Sequence, residues 1–430
     1  MKQRRVLTVL CLSIALLSCK KTDDIQPIET EASVPADASV NDGVKFVCND
    51  SLNQGFFTED YALYHDNHGQ LQIFDVATKR DRVYCFDPAC EHDKRRKIET
   101  LDSGIKQVVE EGCMGYNISL FQVMIQGEHL IFLDDNRDIV QSDIQGANRK
   151  LIMPYPAHFM AERLFFSEDD IISTYSTRYE LIEVERENGE KDWIFGDEKD
   201  KQTAGVGRVN LSSGRAVEVF KREDMSASIY YTTIRDKHLY FAYCYSDMPF
   251  MMPDGETWLN IPDEWKDLSV EEYLKEREKH LWMDIYDYDL ASGELKCIVE
   301  KLVQGRANFC NGFFAYYPET PENSNRTYLY RYSGEMFREL DGFMPYLDMY
   351  CEKHLIGLCE GEVRMINEDT GEVLKRVKEP ENYSFIPHVF IGKTCYGTIV
   401  DEDYSSCTGY ISTEDFWSGR YGNAIKFNVD

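Results

Sequence analysis

The sequence predicts an all-β fold built from about seven repeated four-stranded units, decorated by one short helix. Three observations predict it. Two kinds of segment alternate along the chain, one of each per unit. Each shows period-two alternation closed by turn residues, which marks strands and hairpins rather than helices. The unit length, about forty residues or more, suits a four-stranded sheet.

The first kind of segment is a polar turn followed by a short apolar strand. It reads "TEDYALYHD" from 58, "GEHLIFLDD" from 127, "AERLFFSED" from 161 and "DKHLYFAYC" from 236. It returns as "CNGFFAYY" from 310, "EKHLIGLCEG" from 352 and "IGKTCYGTIV" from 391. The second kind is an alternating strand ending in a tight turn. It reads "LQIFDVATK" from 71, "DIVQSDIQG" from 138, "GRVNLSSG" from 207 and "IYDYDLASGE" from 285. It continues as "YLYRYSGE" from 328, "VRMINEDTGE" from 363 and "TGYISTED" from 408. In "DLASGE" and "EDTGE" a glycine sits where the turn needs a positive φ.

Stacked around a ring, such sheets leave only short, protected edges. The rhythm resembles β-propellers of the broad WD-like and quinoprotein-like kind, from about Phe46 to Asp430. It lacks the WD dipeptide and the quinoprotein tryptophan pattern. Two insertions break the spacing. Residues 180–205 read as a charged hairpin extension. Residues 251–282 contain "LSVEEYLKEREKHLW", where Ser269 and Glu272 form a capping box ahead of a helical face at Val270, Tyr273, Leu274 and Leu281.

The N-terminus reads "MKQRRVLTVLCLSIALLSCKK". Lys2, Arg4 and Arg5 precede an apolar run, Val6 to Leu17, too short to span a bilayer comfortably. "LLSC", Leu16 to Cys19, resembles the lipobox of bacterial lipoproteins. The resemblance implies a signal peptide over 1–18, cleavage before Cys19, and acylation of that cysteine. Residues 20–48 are rich in Asp, Glu, Thr, Ser, Pro and Ala, so they cannot bury enough apolar surface to fold. They read as a tether with a root-mean-square span of roughly 30 Å, and residues 49–430 as the repeat domain. The expected location is the cell envelope: the outer face of the cytoplasmic membrane, or the outer membrane in a two-membrane cell.

The formal net charge is -29, which argues against nucleic acid as a partner. Thirteen cysteines are present. Cys244, Cys359 and Cys395 lie in apolar runs and read as small buried hydrophobes. "CFDPACEHD", Cys85 to Asp93, is different. Its Cys-x-x-x-x-Cys-x-His spacing also resembles a segment of uncharacterised bacterial surface lipoproteins. Cys85, Cys90, His92 and Cys113 are open to three readings: a structural zinc set, a disulfide, or a rigid turn with buried thiols. The long gap before Cys113 weighs against zinc, and the disulfide or plain structural reading is preferred.

Other candidates fail on chemistry. His129, His238 and His354 share one turn position in three units, which a ring would separate. "DDNRD", Asp134 to Asp138, begins like a calcium loop, but Ile139 stands where glycine is needed and Gln145 where glutamate is needed. There is no G-x-S-x-G, H-E-x-x-H or phosphate-binding glycine loop. The expected function is therefore a lipid-anchored binding or scaffolding protein for a glycan, peptide or protein, without a catalytic cofactor. The alternative is a polysaccharide lyase or glycosidase using axial-face carboxylates and tyrosines, which rests on fold analogy.

Overall fold

The computed structural model describes residues 55–427, except 59, 66–69, 86–88, 93–96, 101–105, 111–112, 114, 116–122, 135–137, 145, 156–162, 168–169, 186–190, 249–267, 311, 320–325, 346–353, 380–384 and 401–405. The lipobox, the tether and most of the second insertion lie outside the described residues.

Seven four-stranded antiparallel sheets follow one another along the chain, a seven-bladed β-propeller. Blade one comprises β1 (Gly55–Phe57), β2 (Tyr61–His65), β3 (Leu71–Asp75) and β4 (Arg80–Val83). A separate two-stranded hairpin follows, β5 (Lys97–Thr100) with β6 (Lys106–Glu110). Blade two holds β7 (Val123–Gln126), β8 (His129–Leu133), β9 (Asp138–Asp143) and β10 (Lys150–Pro154). Blade three holds β11 (Arg163–Phe166), β12 (Asp170–Glu185), β13 (Lys191–Asn210) and β14 (Ala216–Asp224).

Blade four has β15 (Ser226–Arg235), β16 (His238–Ser246), β17 (Leu281–Asp289) and β18 (Leu295–Val303), with helix α1 (Val270–Glu278) between its second and third strands. Blade five has β19 (Gly305–Phe309), β20 (Phe313–Pro318), β21 (Arg326–Arg331) and β22 (Met336–Asp341). Blade six has β23 (Phe343–Pro345), β24 (Leu355–Cys359), β25 (Glu362–Ile366) and β26 (Val373–Lys378). Blade seven has β27 (Phe385–Ile391), β28 (Thr394–Val400), β29 (Ser406–Ser412) and β30 (Ile425–Lys426), with α2 (Thr413–Trp417) before its last strand.

The core lies between blades. Each blade buries one face against the next, and the clusters run in order around the ring. Phe165 and Phe220 of blade three pack with Phe241 and Tyr243 of blade four. Phe313 and Leu329 of blade five pack with Phe343 and Leu355 of blade six. The first strands β11, β15 and β19 touch at the centre, while a fourth strand such as β26 is almost wholly exposed.

The apolar segments fall on the second strand in six blades, and the alternating segments on the third. Blade three departs from this. "AERLFFSED" forms its first strand, and Asp170–Thr177 pairs as the second. Both stretches are a polar turn leading into an apolar run, so the recurrence slips by one strand. Beyond Thr177 the pairing of β12 and β13 continues to Glu185↔Lys191 as a long hairpin. Blade seven also departs. Its expected tight turn is α2, because the Ser412 hydroxyl accepts from Asp415 N at 3.0 Å and caps a helical turn. In α1 both halves of the Ser269–Glu272 capping box are made. Among the described residues no helix is long and apolar enough to cross a membrane.

Candidate metal centre

Strand β4 ends at Val83, and the chain is pinned at once. Tyr84 is fully buried. Its N–H donates to Leu71 O at 2.8 Å, and its hydroxyl lies 2.7 Å from Ser142 Oγ on β9. Two residues earlier, Arg82 donates to the Ile144 carbonyl of blade two. Cys85 therefore starts from a fixed point in the seam between blades one and two. Its carbonyl lies close against Gly146, where an added Cβ would meet it at 3.1 Å.

From that point the chain turns back on itself. His92 adopts a left-handed φ of 61°, and its N–H turns back onto Cys90 Sγ. Cys113 returns from the β5–β6 hairpin and is buried. The donor atoms of Cys85, Cys90, His92 and Cys113 all lie within 4.8 Å of one another. The Cys113 sulfur is 3.4 Å from His92 Nδ1. The structure thus brings together all four residues singled out in the sequence, and the nine cysteines among the described residues are thiols.

Hydrogen bonds converge on the sulfurs. His92 N donates to Cys90 Sγ at 3.4 Å. The Gly115 amide donates to Cys113, and Gln70 Nε2 donates to the same sulfur at 3.1 Å and to His92 O at 3.2 Å. Gly115 has no room for a side chain, since a Cβ would sit 2.6 Å from Tyr84 O. Burial pushes the Cys113 thiol up to about 12, and the neighbouring Cys85 adds to the rise. Burial also raises the Cys90 thiol.

Gln70 and Gly115 escaped the sequence reading. A glutamine ahead of a strand and a glycine in a loop carry no signal until the fold sets them beside a sulfur.

The other candidates fall where a ring puts them. His129 and His238 open strands in blades two and four, and His354 precedes β24 in blade six. His238 Nδ1 meets Asp287 at 2.8 Å, and His354 Nδ1 meets Glu368 at 3.3 Å, each within its own blade. Asp134 and Asp138 close the β8–β9 hairpin, with Asp138 N donating to Asp134 Oδ1 at 2.9 Å. One carboxylate–tyrosine group, Asp224, Tyr243, Tyr245 and Asp284, gathers around Arg222. It lies on second, third and fourth strands, and its members satisfy one another.

No family model and no curated protein matches the sequence. Among solved structures, the chain is similar to BamB from Moraxella catarrhalis, at 13% identity and a TM-score of 0.37, covering 82% of this chain and 81% of that one. It is similar to an oligogalacturonate lyase from Vibrio parahaemolyticus, at 10% identity and a TM-score of 0.41, covering 84% and 93%. A puromycin-hydrolyzing peptidase of Mycobacterium tuberculosis matches at 12% identity and a TM-score of 0.49, covering 92% of this chain and 56% of that one. The blade assignment rests on the strand pairing itself.

Proposed function

We propose that this chain is an exported, lipid-anchored β-propeller that binds a ligand or partner at the cell envelope. One observation carries the reading. "LLSC" at Leu16–Cys19 is followed by an acidic, aromatic-poor stretch and then by the propeller from Gly55. An acylated Cys19 holds the chain to the membrane, and several acyl chains hold far more firmly than one. The tether gives the ring a reach of roughly 30 Å from the lipid surface. A rigid ring displaying loops on two faces is a scaffold for recognition. The acidic charge leaves glycans, peptides and proteins as the partner classes and disfavours nucleic acid.

Two experiments test this. Alkyne-palmitate fed to cells should label the wild type and leave Cys19→Ala unlabelled; equal labelling of both would remove the anchor. Residues 20–430 should then be screened against glycan and peptide arrays, with mass spectrometry of the ligands afterwards. Capture of a ligand returned unchanged supports a binding protein. Unsaturated or shortened oligosaccharide products would instead establish the lyase or glycosidase.

A further inference from the structure

We propose that Cys85, Cys90, His92 and Cys113 hold a structural zinc ion, one that locks the β5–β6 hairpin between blades one and two. Three features of the geometry carry this.

The first is the spacing. Zinc binds thiolate at about 2.3 Å and imidazole at about 2.0–2.1 Å in a tetrahedron. The edges of that tetrahedron then measure about 3.8 Å between sulfurs and about 3.5 Å between sulfur and nitrogen. Here four donors fall within 4.8 Å of one another, and the Cys113–His92 edge is 3.4 Å. A disulfide needs two sulfurs at bonding distance and has no use for the third or for the imidazole. A coordinated cation uses all four.

The second is the surrounding hydrogen bonds. Two of the cysteines accept a backbone N–H from the residue two positions on, Cys90 from His92 and Cys113 from Gly115. Gln70 adds a third donor. Donors aimed at sulfur stabilise thiolate, the form that binds metal, and such outer partners orient the ligands.

The third is the chemistry of the set. Three soft thiolates and one imidazole suit zinc, whereas calcium and magnesium take oxygen ligands. Four protein ligands complete a tetrahedron and leave no open position, which marks a structural centre rather than a catalytic one. Binding releases the thiol protons to solvent and leaves the centre with a net charge of about −1. The span also makes sense. Cys85, Cys90 and His92 follow blade one directly, and Cys113 follows the hairpin. The ion closes the excursion at its base, beside the Tyr84 anchor.

The site is independent of what the ring binds. Its test uses the full chain, purified without chelator or added metal and assayed by plasma mass spectrometry. The wild type should carry one zinc per chain. Cys90→Ser and Cys113→Ser should each lose it, and Cys407→Ser in blade seven should keep it. If the site variants fail to fold, cobalt exchanged into the wild type decides. Thiolate-to-cobalt charge transfer with tetrahedral d–d bands supports the centre, and their absence overturns it. A wild type without stoichiometric metal, or a peptide map joining two of Cys85, Cys90 and Cys113 through a disulfide, also overturns it.

Discussion

The Tyr396 hydroxyl donates to the Thr58 carbonyl at 3.1 Å, across a sequence separation of 338 residues. This bond lies where the ring closes. Blade seven is built from 385–426 and blade one from 55–83, so among the described residues no strand is exchanged between them. Aromatic side chains do the joining instead. Phe57 stacks on Tyr396 at 4.7 Å, and Phe427 packs on Phe74 at 4.4 Å and Tyr64 at 4.8 Å.

Phe427 should therefore be the strongest single hold on the seam. It is fully buried although it follows the short last strand. Phe427→Ala removes a large buried ring and is expected to destabilise by about 4 kcal/mol. Tyr396→Phe deletes one hydrogen bond and should lose about 1 kcal/mol. Urea unfolding followed by tryptophan fluorescence measures both. Equal small losses would show that the seam does not hold the ring.

Between blades three and four an ion pair adds to the apolar packing. Asp284 on β17 is 3% exposed. It meets Arg222 of β14 at 2.9 Å and accepts the Lys301 amide at 2.8 Å. The Arg222 guanidinium lies 4.3 Å above the Tyr245 ring. Removing Asp284 leaves the Lys301 amide without its acceptor and Arg222 with Asp224 alone. Asp284→Ala should destabilise by about 3 kcal/mol. Glu271→Ala breaks an exposed pair with Lys275 and should leave the unfolding midpoint unchanged. A similar response in both variants would rule out the interblade clamp.

The second and third strands were legible in the sequence because both are apolar and each ends at a recognisable turn. The first and fourth were not, β11 of blade three apart. β1 and β23 have three residues each, too few for a period to show. β22 faces solvent at half of its positions and β26 at nearly all, so they carry no apolar pattern. Polar outer edges discourage pairing with other chains, and that same polarity hides them. The four residues of the candidate metal centre were legible as residue types at a spacing. Their convergence was not, because it depends on the His92 turn and on where the hairpin returns Cys113.

The turns between third and fourth strands make a matched pair of tests. Asn210, Asp289 and Asn367 each accept a backbone N–H three residues on. Each turn then passes through a left-handed glycine, Gly214, Gly293 or Gly371. Blade one has the same turn from Asp75, with Thr78 N donating at 2.8 Å, but Lys79 holds the left-handed position at φ 55°. A side chain there is strained by about 1 kcal/mol. Lys79→Gly should raise the melting temperature by a few degrees or less, because glycine's freedom in the unfolded chain offsets part of the relief. Gly293→Ala should lower it. Shifts of the same sign in both, by calorimetry, would refute the shared turn.

His388 supplies a pH dependence with a defined sign. It sits at a bulge in β27, 8% exposed, with Nε2 2.8 Å from Thr398 Oγ1. Burial lowers its pKa to about 4, against about 6.5 in an unfolded chain. Between those values the unfolded chain binds a proton that the folded chain does not. Stability therefore falls as pH drops from about 6.5 to 4, by about 3 kcal/mol for this group alone. His388→Gln keeps a polar side chain at the bulge but does not titrate. Its stability relative to wild type should rise steadily over that window and stay flat above pH 7. Urea midpoints at half-unit intervals measure the difference, and parallel curves for the two proteins would exclude His388 as its source.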